Sequence, residues 1–136
     1  MALVVSASAL LASARAGGAH SQRTSPPQIR VAERDFRVKA PRHVSAGRFE
    51  LRVTNSGPDT HELFVVRAST TKLPVRSDGL TLDEDAFKPR TAGTVDGIPP
   101  GDTRTLRVTL ARGRYVLFCN MAGHYLAGMH TELVVG

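Results

Sequence analysis

Short runs of alternating apolar and polar residues recur along the chain, set apart by clusters of glycine, proline, asparagine and serine. Phe49-Glu50-Leu51-Arg52-Val53 alternates cleanly, as do Leu106, Val108 and Leu110 within residues 103–110. Such alternation predicts half-buried strands. Ile29 and Val31, then Phe36 and Val38, predict a first strand broken by a bulge and ended at Pro41. Asn55-Ser56-Gly57-Pro58-Asp59 is a turn cluster, and the strand signal His61-Glu62-Leu63-Phe64-Val65-Val66 follows it. Gly113 opens the apolar run Arg114 to Cys119, and Thr131 to Val135 reads as a closing strand. Residues 68–97, with Pro74, Gly79, Pro89 and Gly93 around the acidic knot Asp83-Glu84-Asp85, show no clear period. They are expected to hold minor strands or a helical turn, or to form a functional loop. Strands at this spacing with no long helix imply an all-β fold, a Greek-key β-sandwich of about seven to eight strands.

A length of 136 residues suits one such domain. Residues 2–14 carry no charge and end in Ala12-Ser13-Ala14, a small-x-small pattern suited to signal-peptide cleavage. The run lacks the basic stretch that usually opens an export signal, and it is short for a bilayer span. Residues 1–20 are therefore read as an export segment, 21–28 as a linker and 29–136 as the folded domain. A periplasmic, extracellular or cell-envelope location follows from that division.

Charge is unevenly placed. The net +6 resides in residues 1–52, where nine basic residues face three acidic ones; residues 53–136 balance. This asymmetry reads as steering toward an acidic partner or an anionic membrane surface, or simply as a solvated, arginine-rich face. Nucleic acid is a poor partner for the chain, since few aromatics accompany the charge and no binding motif is present.

The chemistry concentrates in residues 113–130. Cys119 is the only cysteine, so no internal disulfide can form. A lone thiol in an exported protein asks for a reason; metal ligation is one, and an inert buried thiol is the other. On a strand from Arg114 to Cys119, Tyr115, Leu117 and Cys119 share one face while Val116 and Phe118 pack on the other. His124 and Met129 follow Cys119 at steps of five, with Gly123 and Gly128 just before each. With His61, which begins a strand after a turn, the set becomes two histidines, a thiolate and a thioether, a donor set that favours copper in an electron-transfer site. Zinc would also accept two histidines and a cysteine. Met121 is read as loop packing, and His20, His43 and His130 as solvent-facing or structural.

Asn55-x-Gly57…His61, Pro100-Gly101, Gly113-x-Tyr115-x-Leu117-x-Cys119 and Cys-x4-His-x4-Met together resemble the blue copper proteins, or cupredoxins, the family of plastocyanin and azurin. The resemblance covers roughly residues 29–136. It implies a cupredoxin-like Greek-key sandwich with one mononuclear type 1 copper. Its ligands would be His61, Cys119 and His124, with Met129 as a long axial ligand and His124 as the edge that passes the electron. Ala122 stands where many relatives have proline, and Glu62 where azurin-like members have asparagine.

The implied function is a monomeric, exported carrier of single electrons between redox partner proteins. A copper-binding or delivery protein of the cell envelope is the alternative. An enzyme is not expected. Cys119 is flanked by Phe118 and Asn120 rather than by the histidines of multicopper oxidases, and a binuclear site would need a second cysteine.

Overall fold

The computed structural model describes residues 24–136, so the expected export segment 1–20 and the first three residues of the expected linker 21–28 lie outside it. Nine strands form among the described residues: β1 (Gln28–Arg34), β2 (Arg37–Lys39), β3 (His43–Val44), β4 (Gly47–Asn55), β5 (His61–Arg67), β6 (Thr91–Ile98), β7 (Thr103–Leu110), β8 (Gly113–Phe118) and β9 (His130–Val135). They build two sheets, one ordered β2-β1-β4-β7 and the other β3-β9-β8-β5-β6. The chain crosses between the sheets after β2, β3, β4, β6 and β7, as a Greek-key sandwich does.

The nine strands exceed the expected seven to eight partly because the first strand is not bulged but folded back. β1 and β2 pair antiparallel with Arg34 opposite Arg37, which leaves Asp35 and Phe36 as a two-residue hairpin turn. Phe36 has φ of 30° and is 45% exposed, so it is a turn residue rather than a strand residue. The β3 pair with β9 is two residues long, too brief to show a period.

Alternation places the core. Ile29, Val31, Leu51, Val53, Leu63, Val65, Leu117 and Leu133 meet between the sheets and are almost fully buried. Each such side chain contributes about 1.5–3 kcal/mol when withdrawn from water. A second core lies on the outer face of the five-stranded sheet, where Phe64, Val66, Val116 and Phe118 are covered by residues from the irregular segment. Leu73, Leu82 and Phe87 supply that cover, with a short helix α1 (Glu84–Phe87) and a 3-10 turn over Lys88–Arg90. Phe64 stacks on Phe118 at 5.3 Å, and Phe87 meets both rings edge-on. The stretch 68–97 thus contains a helical turn, nearly all of β6 and the cover of the second core.

Candidate metal centre

Strand β8 delivers Cys119 to one pole of the sandwich. Tyr115, Leu117 and Cys119 belong to the core between the sheets, while Val116 and Phe118 belong to the second core. Beyond Cys119 the chain folds into a compact turn region that returns through Met129 to β9. The turn is stitched by its own backbone: Met129 N–H donates to His124 C=O (3.0 Å), and Cys119 N–H donates to Met129 C=O (3.1 Å). Gly123 and Gly128 adopt φ of 80° and 100°, a region costly for other residues, and so let the chain reverse before each ligand.

His61 arrives from β5, at the same pole. It shares the inward face with Leu63 and Val65 and is fully buried. The turn before it is fixed by Asn55, whose side-chain amide donates to Asp59 C=O (2.7 Å) and Ile98 C=O (2.8 Å), and whose Oδ1 accepts from Gly57 N–H (2.9 Å).

The fold therefore brings together the residues that the sequence singles out. Cys119 Sγ lies 3.6 Å from His124 Nδ1 and 3.9 Å from His61 Nδ1. Donor atoms of His61, Cys119 and His124 all fall within 4.8 Å of one another. Met129 is buried in the same core. His61, Cys119 and Met129 are shielded from water, and His124 alone is half-buried, so it is the ligand with an edge toward solvent. His130 takes no place in the cluster: its ring stacks on Tyr125 at 4.7 Å. His43 is exposed on β3, and His20 lies outside the described residues. Met121 is 38% exposed instead of packed in the loop, because the turn carries it outward.

The electrostatics suit a soft cation. Burial pushes the Cys119 thiol up to about 12, opposed by the backbone amides of Glu62 and Met121. A bare thiolate is disfavoured there, and a bound metal ion is what would offset that cost. Burial, then the nearby His124, holds the His61 imidazole below its ordinary value against the pull of Asp35, so its ring is neutral and able to ligate. Two imidazole nitrogens, one thiolate and a buried thioether thus fit copper by chemistry as well as by placement.

Several supporting residues are not apparent from sequence. Asp35 Oδ1 lies 3.0 Å from His61 Nε2, at contact distance though off the axis of a well-formed hydrogen bond. Phe36 meets the His124 ring edge-on at 5.2 Å. The β1–β2 turn thus touches both histidines. Gly57 completes the fit, since a Cβ there would stand 2.6 Å from Asp35 Oδ1 and 3.1 Å from His61 Nε2. Asn120 pins the second-core lid beside the site: its Oδ1 accepts from Leu82 N–H (2.7 Å), and its amide donates to Leu82 C=O and to Glu84. Glu33 is fully buried on the inner face of β1, and neither carboxylate oxygen has a hydrogen-bond partner. The signal for the turn was the Asp35 within an interrupted alternation, which fits a hairpin as well as a bulge.

Comparison with known proteins agrees with this geometry. Residues 41–136 match the family model described as the sulfocyanin (SoxE) domain. No curated protein sequence gives a significant match. Among solved structures, reduced auracyanin from Roseiflexus castenholzii superposes with a TM-score of 0.63 at 16% identity, over 83% of this chain and 99% of that one. Auracyanin A from Chloroflexus aurantiacus, described as a blue copper protein, gives 0.61 at 21% identity over 82% and 100%. Rusticyanin from Thiobacillus ferrooxidans gives 0.61 at 12% identity over 82% and 79%. At these identities the superpositions speak for the fold, a cupredoxin sandwich. His61, Cys119, His124 and Met129 stand in it as a type 1 copper-like set. The family match extends over more than two thirds of the sequence and takes in all four, and the chain accordingly belongs to the sulfocyanin (SoxE) domain family of blue copper proteins.

Proposed function

We propose that the protein is an exported carrier of single electrons and not an enzyme. The observation that carries this reading is the convergence of the donor atoms of His61, Cys119 and His124 within 4.8 Å at a buried pole. Copper bound there would supply one electron couple, Cu(I)/Cu(II). The chain's own task is to hold a geometry that suits both oxidation states. His61, Cys119 and Met129 are fixed inside a packed core, and ligands that cannot move keep the reorganisation on electron transfer small. His124 presents the accessible edge.

Around that edge the pole exposes Phe36, Leu80, Met121 and Leu126. Leu80 is tied to the ligand turn, because its C=O accepts from Gly123 N–H. An apolar rim around the exit suits brief docking of donor and acceptor proteins, which expel water and separate again. Export is supported by the uncharged run 2–14 and its Ala12-Ser13-Ala14 ending, both outside the described residues. Among the described residues no helix is long and apolar enough to cross a membrane.

The test is a visible absorption spectrum after copper addition, followed by a redox titration. An intense thiolate-to-copper band, abolished in Cys119→Ser, and a reversible one-electron transition are the expected results. Colourless protein holding stoichiometric zinc, or copper that does not cycle, would overturn the proposal.

A further inference from the structure

The basic excess of the sequence is gathered onto one surface. Along β1, Gln28, Arg30, Ala32 and Arg34 point away from the core, and so do Arg37 and Lys39 on β2. On β4 the outward positions include Arg48, Glu50 and Arg52. Register sets these side by side: Arg30 lies opposite Arg52, Ala32 opposite both Lys39 and Thr54, and Arg34 opposite Arg37. Glu50 is the one carboxylate on this face among the described residues, and Arg107 of β7 engages it at 3.5 Å. Arg30, Arg34, Arg37, Lys39, Arg48 and Arg52 remain, all exposed and none in an ion pair among the described residues.

We propose that the outer face of the four-stranded sheet docks the protein on an anionic lipid surface. Three features favour a bilayer over an acidic protein. The face is broad: four strands span roughly 15 Å, and the nine residues of β4 extend about 30 Å. Between its cations stand Gln28, Ala32, Thr54, Thr103 and Thr105, small or neutral groups with no apolar anchor to fill a partner's pocket. A groove on this face is lined by Arg30, Lys39 and Arg52, and such long flexible cations gain from many headgroups at once, without a specific fit.

The third feature is the far side. The segment covering the other sheet carries Asp83, Glu84 and Asp85, with Asp96 on the neighbouring strand β6. These carboxylates nearly balance the segment's own cations, Lys72, Arg76, Lys88 and Arg90. The far side is thus close to neutral while the arginine face is strongly cationic, and an anionic surface would draw the arginine face inward. The metal pole lies at the strand ends, beyond the Arg34–Arg37 corner of the face. A protein lying flat on its sheet would keep His124 and its apolar rim free for partners and would restrict its search for them to two dimensions.

The full-length chain can be sedimented with vesicles of phosphatidylcholine alone and of phosphatidylcholine with phosphatidylglycerol. Co-sedimentation with the anionic vesicles only, reversed by added salt, is expected. The pair Arg30→Glu and Arg52→Glu should weaken it about tenfold or more. Lys88→Glu with Arg90→Glu, an equal change of charge on the opposite side, should leave it unchanged. Equal loss in both double variants would mean that only net charge matters and would overturn the proposal. Binding to neutral vesicles that resists salt would overturn it in favour of insertion by residues 2–14. Retention by polyglutamate without vesicle binding would overturn it in favour of an acidic protein receptor. The inference stands apart from the copper reading, since it can fail with the blue band intact and hold in metal-free protein.

Discussion

Asp35 and Phe36 are neighbours in sequence, yet each attends to a different metal histidine. Asp35 places a carboxylate against the far nitrogen of His61, which fixes the ring and makes it a better donor to an oxidised metal. Asp35→Asn should therefore raise the reduction potential and weaken copper binding by about ten- to a hundredfold, as voltammetry and competitive chelation would read. Gly57→Ala tests the same contact from the opposite wall. Its Cβ would collide with Asp35 Oδ1, so the variant should bind copper poorly and lose about 1–3 kcal/mol in urea unfolding. Native behaviour of both variants would mean that the contact does not position His61.

Among the elements, the irregular segment between β5 and β6 does more than connect them. Asn120, next to Cys119, holds its Leu82–Glu84 portion with three hydrogen bonds. Tyr125, next to His124, packs against Phe118 and donates its hydroxyl to Thr71 C=O. Two residues adjacent to ligands thus tie the metal turn to the second core. Asn120→Ala leaves the buried Leu82 N–H without its partner, a loss of about 1–3 kcal/mol. Faster amide hydrogen exchange through residues 71–90 should accompany it, while the inter-sheet core keeps its protection.

The same elements show what the sequence could reveal. In β8, alternation assigned Cys119 to one face and Phe118 to the other, because both faces of that strand are packed and each imposes a period of two. The covering segment buries Leu73, Leu82 and Phe87 at intervals that match neither strand nor helix. Irregular backbone laid over a sheet buries residues wherever it dips, so no period could have announced it. The four ligands were legible because three lie in one short motif. Asp35, Gly57 and Glu33 act across the fold, and only the register of β1 against β4 brings their neighbourhoods together.

For the whole molecule, buried titratable groups set the response to pH. Glu33 is raised to about 8, by burial first and by Glu62 second, and Glu62 is raised to about 7, mainly by burial. Both folded-state values lie above the unfolded ones. Their contribution is thus complete at low pH and is lost as pH rises from about 4.5 through 7 and 8. His61 and His130 are held below 6.5 by burial, so stability also falls as pH drops below that value. Metal-free protein should be most stable on the acid side of neutrality. Glu33→Gln removes one buried ionisation and should raise stability at pH 7 by up to roughly 3 kcal/mol, with a flatter alkaline limb. Urea midpoints between pH 5 and 9 would check both the optimum and the slope.

The distribution of ligands along the chain also bears on how the protein is assembled. Cys119, His124 and Met129 lie within a single stretch of eleven residues, whereas His61 stands 58 positions before the cysteine. An unfolded chain therefore keeps a local soft-donor half-site, to which copper can bind before any sheet exists. Metal held by the denatured ensemble subtracts from the stabilisation that native binding confers. The gain in melting temperature on copper addition should be smaller than the native affinity implies. The order of folding and metal loading then becomes a kinetic variable in biogenesis, set by when β5 brings His61 to a motif already able to hold the ion.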